Sequence, residues 1–209
     1  MKLVYQGAEA DVYSGEWSGQ RAVFKFRKAL PYRLPELDRV IRSQRTAHEA
    51  ELLHESKKAG IRNPTLYYVS APESLIVMEE VIGPRLKTVL ESGDAKTKAV
   101  SEAFGNVVGR LHASGIMHGD LTTSNVIVNG DGVNLIDFGL AVRSTKLEDH
   151  AVDLRLIKET LIGAHSTVAS AVMKAFLEGY AGVVGEARAK QVSKKLAEIE
   201  RRGRYARVE

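Results

Sequence analysis

The chain has 209 residues, of which 44% are hydrophobic and 27% are charged, as is ordinary for a soluble globular protein of one or two domains. Cysteine is absent, which excludes disulfide bonds and thiolate metal sites, and no apolar run approaches the roughly 18 residues of a membrane span. The net charge of +4 is uneven, because residues 21–45 and 186–209 each contain eight basic residues and could attract nucleic acid or an acidic protein surface. We therefore expect a cytoplasmic protein without a membrane partner.

Short β-strands are predicted within residues 3–27, with a loop at residues 6–10 between the first two. Such a loop can fold over a nucleotide and bring backbone N–H groups near its phosphates, although an ordinary hairpin turn is the alternative. In the last of these strands Lys25 is surrounded by apolar residues, so the alternation of the strand can aim its ammonium inward. A buried lysine would need a phosphate or a carboxylate as its partner, whereas a solvent-facing lysine would need none.

Helical spacing runs from residue 37 to residue 59, and Gly60 provides a stop signal. Glu49 lies beside the apolar stripe of this helix, where its carboxylate can pair with Lys25. Most helical glutamates are solvated, so this pairing depends on Lys25 and on the motifs that follow. The predicted inward stripe consists of Val40, Ile41, Ala47, Ala50 and Leu53.

Residues 65–70 and 75–78 are predicted to be strands, and the second is so apolar that we expect it to be buried on both faces. An extended link at residues 79–84 follows, and its backbone could hydrogen-bond an adenine. We place a boundary there, between a strand-rich lobe (1–82) and a helical lobe (83–209). Further helices are predicted at residues 86–90, 95–114, 149–162 (with Asp153 among its buried positions), 166–180 (with Ser166 as N-cap) and 186–201, before a basic tail at 201–209.

The most informative stretch is H-G-D-L-T-T-S-N at residues 118–125, which D-F-G follows at residues 137–139. Two β-branched runs separated by a turn at residues 129–132 predict a hairpin between the two motifs. An acid and an amide five positions apart, then a hairpin, then a second acid, can place three oxygen ligands around one small space. Mg²⁺-assisted phosphoryl transfer requires this set of ligands.

The residue types suggest a role for each group. Asp120 is the candidate that orients or accepts a proton from an attacking hydroxyl or water, and Asn125 and Asp137 are the candidate Mg²⁺ ligands. Lys25, held by Glu49, would neutralise the α- and β-phosphates of ATP. Either motif alone occurs often by chance, but both in this order, with the lysine and the glutamate upstream, strongly indicate a Mg-ATP enzyme.

The chain resembles eukaryotic-type protein kinases, and within them the small atypical kinase subunit of the KEOPS (EKC) complex. The resemblance covers essentially the whole chain. It implies an α+β fold, a minimal bilobal kinase-like fold with an antiparallel sheet and one main helix in the N-lobe and a truncated, mostly helical C-lobe. The residues that carry the resemblance are Gly7, Ala8, Glu9 and Ala10, then Arg45, Thr46, Glu49 and Ala50, then Met78, Glu79 and Glu80, and then residues 118–125, 137–141 and 151–154.

This resemblance also implies an activity. The chain would be an atypical serine/threonine kinase and ATPase that uses ATP and Mg²⁺ and supports threonylcarbamoyladenosine formation at position 37 of tRNA. Its implied partners are a sugar-kinase-like threonylcarbamoyl transferase subunit, a small regulatory subunit, and tRNA, which the basic tail at residues 201–207 would approach. Besides Lys25, the implied nucleotide contacts are Gln6, Gly7, Ala8, Glu9, Ala10, Val12, Met78, Glu79, Val81, Ile127 and Ile136.

Several residues depart from the pattern of ordinary protein kinases. Tyr5 and Ala10 stand where glycines are usual, so the phosphate loop should be stiffer, and Glu9 would direct a carboxylate into the site. Gly119 replaces an arginine that usually binds a phosphorylated activation loop, and Thr122 replaces a lysine that contacts the γ-phosphate. No A-P-E motif follows D-F-G. These departures favour ATP hydrolysis, or phosphorylation of one tethered partner, over broad peptide kinase activity.

Two other interpretations remain open at this point. The chain could be a RIO-like kinase or a small-molecule phosphotransferase that also uses H-G-D, or it could be a catalytically silent, nucleotide-sensing scaffold. The extension of D-F-G by Leu140 and Ala141 and the acidic pair Glu79 and Glu80 argue against the first. The intact set of candidate catalytic and metal-binding residues argues against the second.

Overall fold

An antiparallel five-stranded sheet and one long helix form the first part of the molecule in the computed structural model, which describes residues 1–93, 96–130 and 132–205, with side chains to residue 202. Its elements are β1 (Lys2–Gln6), β2 (Ala10–Trp17), β3 (Gln20–Arg27), α1 (Pro35–Lys58), β4 (Leu66–Ser70) and β5 (Leu75–Glu79). The strand order is β1-β2-β3-β5-β4, and every neighbouring pair is antiparallel. The predicted N-lobe, an antiparallel sheet with one main helix, is confirmed.

Strands β3 and β5 lie in the interior of the sheet and are its most buried strands. Residues 76–78 of β5 are buried, as expected for an apolar strand with a neighbour on each side. Successive side chains of β3 point to opposite faces of the sheet, and the two faces differ in their surroundings. Phe24 packs with Ala22 on one face, whereas Lys25 and Arg27 are buried on the other, where they meet α1.

The buried face of helix α1 differs from the predicted apolar stripe. Val40 is half exposed and Ala47 is exposed, and of the predicted stripe only Ala50 and Leu53 are buried, with Ile41 half-buried. The buried positions of the helix are Asp38, Thr46, Glu49, Ala50, Leu52, Leu53 and Ser56. The inward face is partly polar because it carries the carboxylates that the cations of β3 require, so a search for apolar residues alone misplaces it.

The second part of the molecule is mostly helical, as predicted. Its helices are α2 (Leu86–Ser92), α3 (Thr97–Ala113), α4 (Leu147–Ala164), α5 (Ala169–Val184) and α6 (Glu186–Tyr205). Its short strands are β6 (Ile116–Met117), β7 (Val126–Asn129), β8 (Gly132–Leu135) and β9 (Val142–Arg143), which pair as β6-β9 and β7-β8. The α+β class is therefore confirmed, and no helix among the residues described above is long and apolar enough to cross a membrane.

Several helix boundaries differ from the predictions. Helix α5 starts at Ala169 rather than at Ser166, because a turn closed by the Val168 N–H and the His165 carbonyl precedes it, and no side chain caps its N-terminus. The first residues of the predicted tail, 201–205, belong to α6, whereas its residues 206–209 lie outside the described part of the chain, as does the predicted helix start at Ala95. The lobe boundary at residue 82 stays a prediction.

Helices α3 and α5 form the tightest contact of the helical lobe. The ring centroids of Phe104 and Phe176 are 5.1 Å apart, and both side chains are fully buried. The helices approach so closely because Gly105 faces α5, where a Cβ atom would lie 1.9 Å from the carbonyl oxygen of Phe176. A side chain at this position would force the two backbones apart.

We expect Gly105→Ala to lower the free energy of unfolding by about 3 kcal/mol, because the added methyl group cannot be accommodated without a shift of the α3 or α5 backbone. Chemical denaturation of the variant measures this loss. Gly163→Ala is the matched control, since Gly163 lies in α4 with nothing near the added Cβ. It should stabilise the protein by roughly 0.5–1 kcal/mol. Equal stability of the two variants would contradict this description of the helix contact.

Candidate active site

The β7–β8 hairpin brings the two motifs together, as predicted. Residues 118–125 run from β6 to a short 3₁₀ turn, Thr123–Asn125, directly before β7, and Asp137 lies two residues after the end of β8. The strands pair from Val126 with Leu135 to Asn129 with Gly132. In addition, the Ile136 N–H donates to the Asn125 carbonyl at 3.0 Å, so the residue before Asp137 is fixed beside the end of the first motif. Of the turn itself, Asp131 lies outside the described residues.

Asn125 is oriented by Asp120. Its amide Nδ2 donates to the Asp120 carboxylate at 2.8 Å and to the Asp120 carbonyl at 3.0 Å. Because both bonds use the NH₂ group, the amide oxygen is turned toward the other side and is the atom that can bind a cation. The predicted acid and amide are therefore joined by a hydrogen bond, and the amide oxygen is a candidate hard oxygen ligand.

Asp137 is the second candidate metal ligand and has an unusual backbone conformation. Its φ angle is +62°, in the left-handed region that a non-glycine residue rarely adopts. One carboxylate oxygen accepts hydrogen bonds from Lys25 Nζ at 2.8 Å and from the Gly139 N–H at 3.2 Å. Burial alone would raise the pKa of Asp137, but Lys25 and the hydrogen bonds outweigh burial and hold this pKa below its usual range.

Lys25 is buried and makes the ion pair that the sequence predicted. Its Nζ lies 2.6 Å from Glu49 Oε1 and 2.8 Å from Asp137 Oδ1. Burial acts to lower the pKa of Lys25, but the two carboxylates outweigh burial and hold this pKa above its usual value. The ammonium is therefore charged and has a third N–H to offer to a phosphate.

Arg27 was missed by the sequence analysis. Its guanidinium donates to the second oxygen of Glu49 at 2.5 Å, so one buried carboxylate holds two cations. Its Nε is buried without a hydrogen-bond partner. The signal in the sequence is the spacing, since residues two apart on a strand share a face and Arg27 therefore had to follow Lys25 inward.

A buried aspartate on α4 binds the backbone at the start of the H-G-D-L-T-T-S-N stretch (residues 118–125), which we call the catalytic stretch because of its predicted role. Asp153 accepts hydrogen bonds from the His118 N–H at 2.7 Å, the Gly119 N–H at 2.9 Å and His112 Nε2 at 3.1 Å. Burial would raise the pKa of Asp153, but the bonds from His112 and the backbone outweigh it and lower this pKa. The predicted burial of Asp153 is confirmed, and its carboxylate binds the backbone of the two residues before Asp120.

The histidine of the motif is also fixed. His118 Nδ1 accepts from the Asp120 N–H at 3.3 Å, and Nε2 donates to the Ile136 carbonyl at 3.2 Å. Its ring lies 4.9 Å from that of Phe138. Burial lowers the pKa of His118, so the ring is neutral and serves to position its neighbours.

Gly119 leaves no room for the arginine of ordinary protein kinases. Its φ angle is +79°, and a Cβ atom would lie 2.3 Å from the carbonyl oxygen of Leu140. The segment after D-F-G therefore packs directly on the backbone of the catalytic stretch. The departure noticed in the sequence has a steric cause.

The phosphate loop is closed by its own hydrogen bonds. The Gly7 N–H donates to the Ala10 carbonyl at 2.9 Å, Lys28 Nζ donates to the Gly7 carbonyl at 2.7 Å, and the Lys28 N–H donates to the Glu9 carbonyl at 2.9 Å. The Gly7 N–H is thus bonded within the loop, and the expectation that backbone N–H groups of this loop lie near the phosphates stays a prediction. The side chain of Glu9 points to arginines of β3 and α1 and not to Asn125 or Asp137.

The predicted nucleotide contacts lie on several strands and on the link after β5. The link after β5 lies against β7, because the Val128 N–H donates to the Pro84 carbonyl at 2.9 Å. Glu79 turns its carboxylate back to the Thr65 N–H and hydroxyl. The remaining predicted contacts lie in or next to β1, β2, β5, β7 and β8, namely Gln6, Ala8, Ala10, Val12, Met78, Val81, Ile127 and Ile136. Their roles in nucleotide binding stay predictions.

The donor set at the end of β8 fits Mg²⁺. Within the described residues, no three histidine or acidic side chains are grouped so that they could hold a metal ion. Asn125 and Asp137 offer one amide and one carboxylate, and Mg²⁺ usually takes only one or two protein carboxylates and completes its shell with phosphate oxygens and water.

A family model described as "Protein kinase domain" matches residues 3–172 of the chain. The KEOPS complex subunit Bud32 of Pyrococcus abyssi is 38% identical over 98% of this chain and 96% of its own length. The EKC/KEOPS complex subunit BUD32 of Yarrowia lipolytica is 35% identical over 97% of this chain and 91% of its own length.

Longer relatives match as well. A probable bifunctional tRNA threonylcarbamoyladenosine biosynthesis protein of Methanothermobacter thermautotrophicus is 39% identical over 97% of this chain, which spans only 36% of the length of that relative. Among solved structures, a complex of Rio2 kinase with ADP, Mg²⁺ and phosphoaspartate from Chaetomium thermophilum superposes with a TM-score of 0.66 at 16% identity, over 99% of this chain and 72% of that one. This last likeness shows the fold alone.

The buried histidines near residues 118–125 indicate that the free energy of unfolding depends on pH. His150 is buried and stacks on His112 at 4.1 Å, with Arg188 on its other side. Burial and the neighbouring His112 lower the pKa of His150 from 6.5 to about 4. Between these values the unfolded chain takes up a proton that the folded chain does not, so stability must fall as the pH drops from 6.5 to about 4.

We expect His150→Gln to reduce the slope of unfolding free energy against pH in this interval. It will not abolish the slope, because burial also lowers the pKa of His118 and of His165. Urea titrations at several pH values measure the slope. His54→Gln, at an exposed position of α1, is the control and should leave the slope unchanged. An identical slope for His150→Gln and the wild type would contradict the assignment.

Proposed function

Because this chain belongs to the protein kinase family, and within it to the family of KEOPS complex subunit Bud32, we propose that it is a Mg²⁺-dependent ATP phosphotransferase and ATPase that serves tRNA modification. The observation that carries the proposal is the assembly of Lys25, Asn125 and Asp137 at one site, with Lys25 and Asp137 2.8 Å apart. The alternative of a catalytically silent scaffold is disfavoured, because each of these groups is held in place by a specific partner.

Asn125 and Asp137 would hold the Mg²⁺ ion, which when bound would neutralise charge on the phosphate oxygens. Lys25 acts on the nucleotide phosphates with its third N–H, while Glu49 keeps the ammonium in position. This division makes Glu49 a positioning residue. It agrees with chemistry in which catalysis is mostly positioning and charge stabilisation.

Asp120 is the residue that would act on the attacking oxygen. One of its carboxylate oxygens accepts the Asn125 amide at 2.8 Å, and its backbone N–H is bound to His118. The other carboxylate oxygen can accept the proton of a water or of a hydroxyl and orient that oxygen toward the γ-phosphate. The hydrogen bond from Asn125 restricts the orientation of this carboxylate, which supports the proposed role.

The acceptor is a water molecule or one tethered protein partner. Gly119 and Leu140 bring the segment after D-F-G against the catalytic stretch, and this segment passes through the short strand β9 to α4 without a long peptide-docking region. A free peptide would therefore find little surface on which to bind. Serine/threonine specificity is part of the proposal and rests on the resemblance to the family.

The proposed partners follow from the relatives. Two relatives carry the name of KEOPS complex subunits, and the bifunctional relatives join a similar segment to a longer protein named for tRNA threonylcarbamoyladenosine biosynthesis. We propose that this chain binds a sugar-kinase-like threonylcarbamoyl transferase and a small regulatory subunit, and that it acts with tRNA in the cytoplasm. The RIO-like alternative has support from the fold alone.

We expect Asp137→Ala to reduce Mg²⁺-dependent ATP hydrolysis by at least about a hundredfold, because it removes the carboxylate ligand of the metal. The purified variant, alone and with the transferase partner, is assayed for phosphate release, and circular dichroism checks its fold. Asp149→Ala is the control, since Asp149 lies on α4, away from the candidate site, and accepts a bond from Ser144. Undiminished hydrolysis by the folded Asp137→Ala variant would refute the metal assignment and the proposed function.

The C-terminal basic residues give a second test. We expect the combined substitutions Arg201→Gln, Arg204→Gln and Arg207→Gln to weaken the stimulation of hydrolysis by tRNA while basal hydrolysis stays unchanged. At positions 201 and 204, which belong to α6, glutamine retains the helical preference, and Arg202, which pairs with Glu148 at 3.5 Å, is left intact.

The same number of charges is removed in a control triple variant at the exposed positions Lys58, Lys87 and Arg110. Stimulation is measured over a range of salt concentrations, because binding to tRNA phosphates weakens as salt rises. Equal stimulation in the wild type and the C-terminal variant would show that these residues do not contact tRNA.

A further inference from the structure

Three arginines converge on one carboxylate of the phosphate loop. Arg45 of α1 donates to Glu9 Oε2, Arg33 Nη2 lies 3.5 Å from Glu9 Oε1, and Arg27 Nη1 lies 4.0 Å from Glu9 Oε2. We call Arg27, Arg33 and Arg45 the arginine cluster. They come from β3, from the link before α1 and from α1 itself, so the fold and not a local run of sequence brings them together.

Positive charge exceeds negative charge around this cluster. Glu49 is shared by Lys25 and Arg27, and a second carboxylate, that of Asp38, lies 3.6 Å from Arg33 and 2.7 Å from Arg42. Counted together, five cations meet four carboxylates, those of Glu9, Asp38, Glu49 and Asp137. The excess is one positive charge with Glu9 in place and two without it.

One arginine of the cluster is buried, whereas another arginine and Glu9 are partly exposed to solvent. The Arg27 side chain is only 6% exposed and its Nε is buried without a hydrogen-bond partner, although a guanidinium has five N–H groups to donate. Glu9 and Arg45 are about two-fifths exposed, with values of 40% and 39%. An anion arriving from solvent can therefore reach Arg45 first and displace the Glu9 carboxylate.

We propose that the arginine cluster is a binding site for a phosphate dianion, and that Glu9 occupies this site when the anion is absent. A dianion matches the two positive charges that remain without Glu9, and guanidinium groups bind phosphate oxygens in pairs. A carboxylate on the same three arginines is a weaker, singly charged substitute, tethered to the phosphate loop.

The position of the cluster identifies inorganic phosphate as the ligand. Arg27 and Lys25 share Glu49, and both lie beside Gly139 of D-F-G, at 3.3 Å and 3.4 Å from the point where a Cβ would be. The cluster is thus next to the proposed site of the nucleotide phosphates, on the α1 side. Phosphate released by ATP hydrolysis would meet these arginines as it leaves. This source of the ligand rests on the proposed function, whereas the binding itself does not.

Direct titration of the full chain with inorganic phosphate tests the inference without nucleotide or Mg²⁺. Isothermal calorimetry at constant ionic strength gives the affinity, with chloride as the control anion. We expect Glu9→Gln to bind phosphate about tenfold more tightly than the wild type, because the competing carboxylate is gone. Arg45→Gln should bind it at least about tenfold more weakly.

Arg39→Gln removes a guanidinium from an exposed position on the same helix and should bind phosphate as the wild type does. Arg33→Gln is a second cluster variant, chosen because Arg27 is buried and its replacement could unfold the lobe. If Glu9→Gln binds no more tightly than the wild type, or if both cluster variants retain wild-type affinity, the inference is overturned. Phosphate binding without ATP hydrolysis would instead support the cluster and refute the proposed function alone.

Discussion

The ion pairs of Lys25 join three parts of the chain that are far apart in sequence. Glu49 is 24 residues away on α1 and Asp137 is 112 residues away after β8, yet both carboxylates lie within 2.8 Å of one ammonium. A buried lysine without partners would cost several kcal/mol, so these carboxylates are required by the position of the lysine in an interior strand. The sheet, the long helix and the segment after β8 in the helical lobe are thus linked by a single charge, and the proposed chemistry takes place at that link.

A second buried charge, that of Asp153, fixes the backbone of the H-G-D motif in the helical lobe. Asp153 accepts hydrogen bonds from the backbone of residues 118 and 119, while the β7–β8 hairpin fixes the positions of Asn125 and Asp137. The two anchors come from different elements and meet at the same short stretch. The proposed catalytic carboxylates therefore depend on helix α4 as much as on the motif that contains them.

The parts of the site that follow from local spacing could be predicted from the sequence, and the parts that follow from long-range packing could not. The hairpin and the pairing of Lys25 with Glu49 were predicted because each rests on periodicity or on a motif. The inward face of α1 was misplaced, since Val40 is apolar but exposed while Thr46 and Glu49 are polar and buried. The contacts of Glu9 were invisible for the same reason, because their arginines are supplied by segments that meet only in the folded chain.

The contact between Gly119 and Leu140 also restricts how such a protein can evolve. With φ at +79° and a carbonyl oxygen 2.3 Å from any Cβ, no larger residue can be introduced at position 119 before the backbone at position 140 has moved. An arginine at position 119 would therefore require a backbone shift at position 140 as well as the substitution itself. The effect of a mutation at one of these two positions thus depends on the other, which is an epistatic constraint.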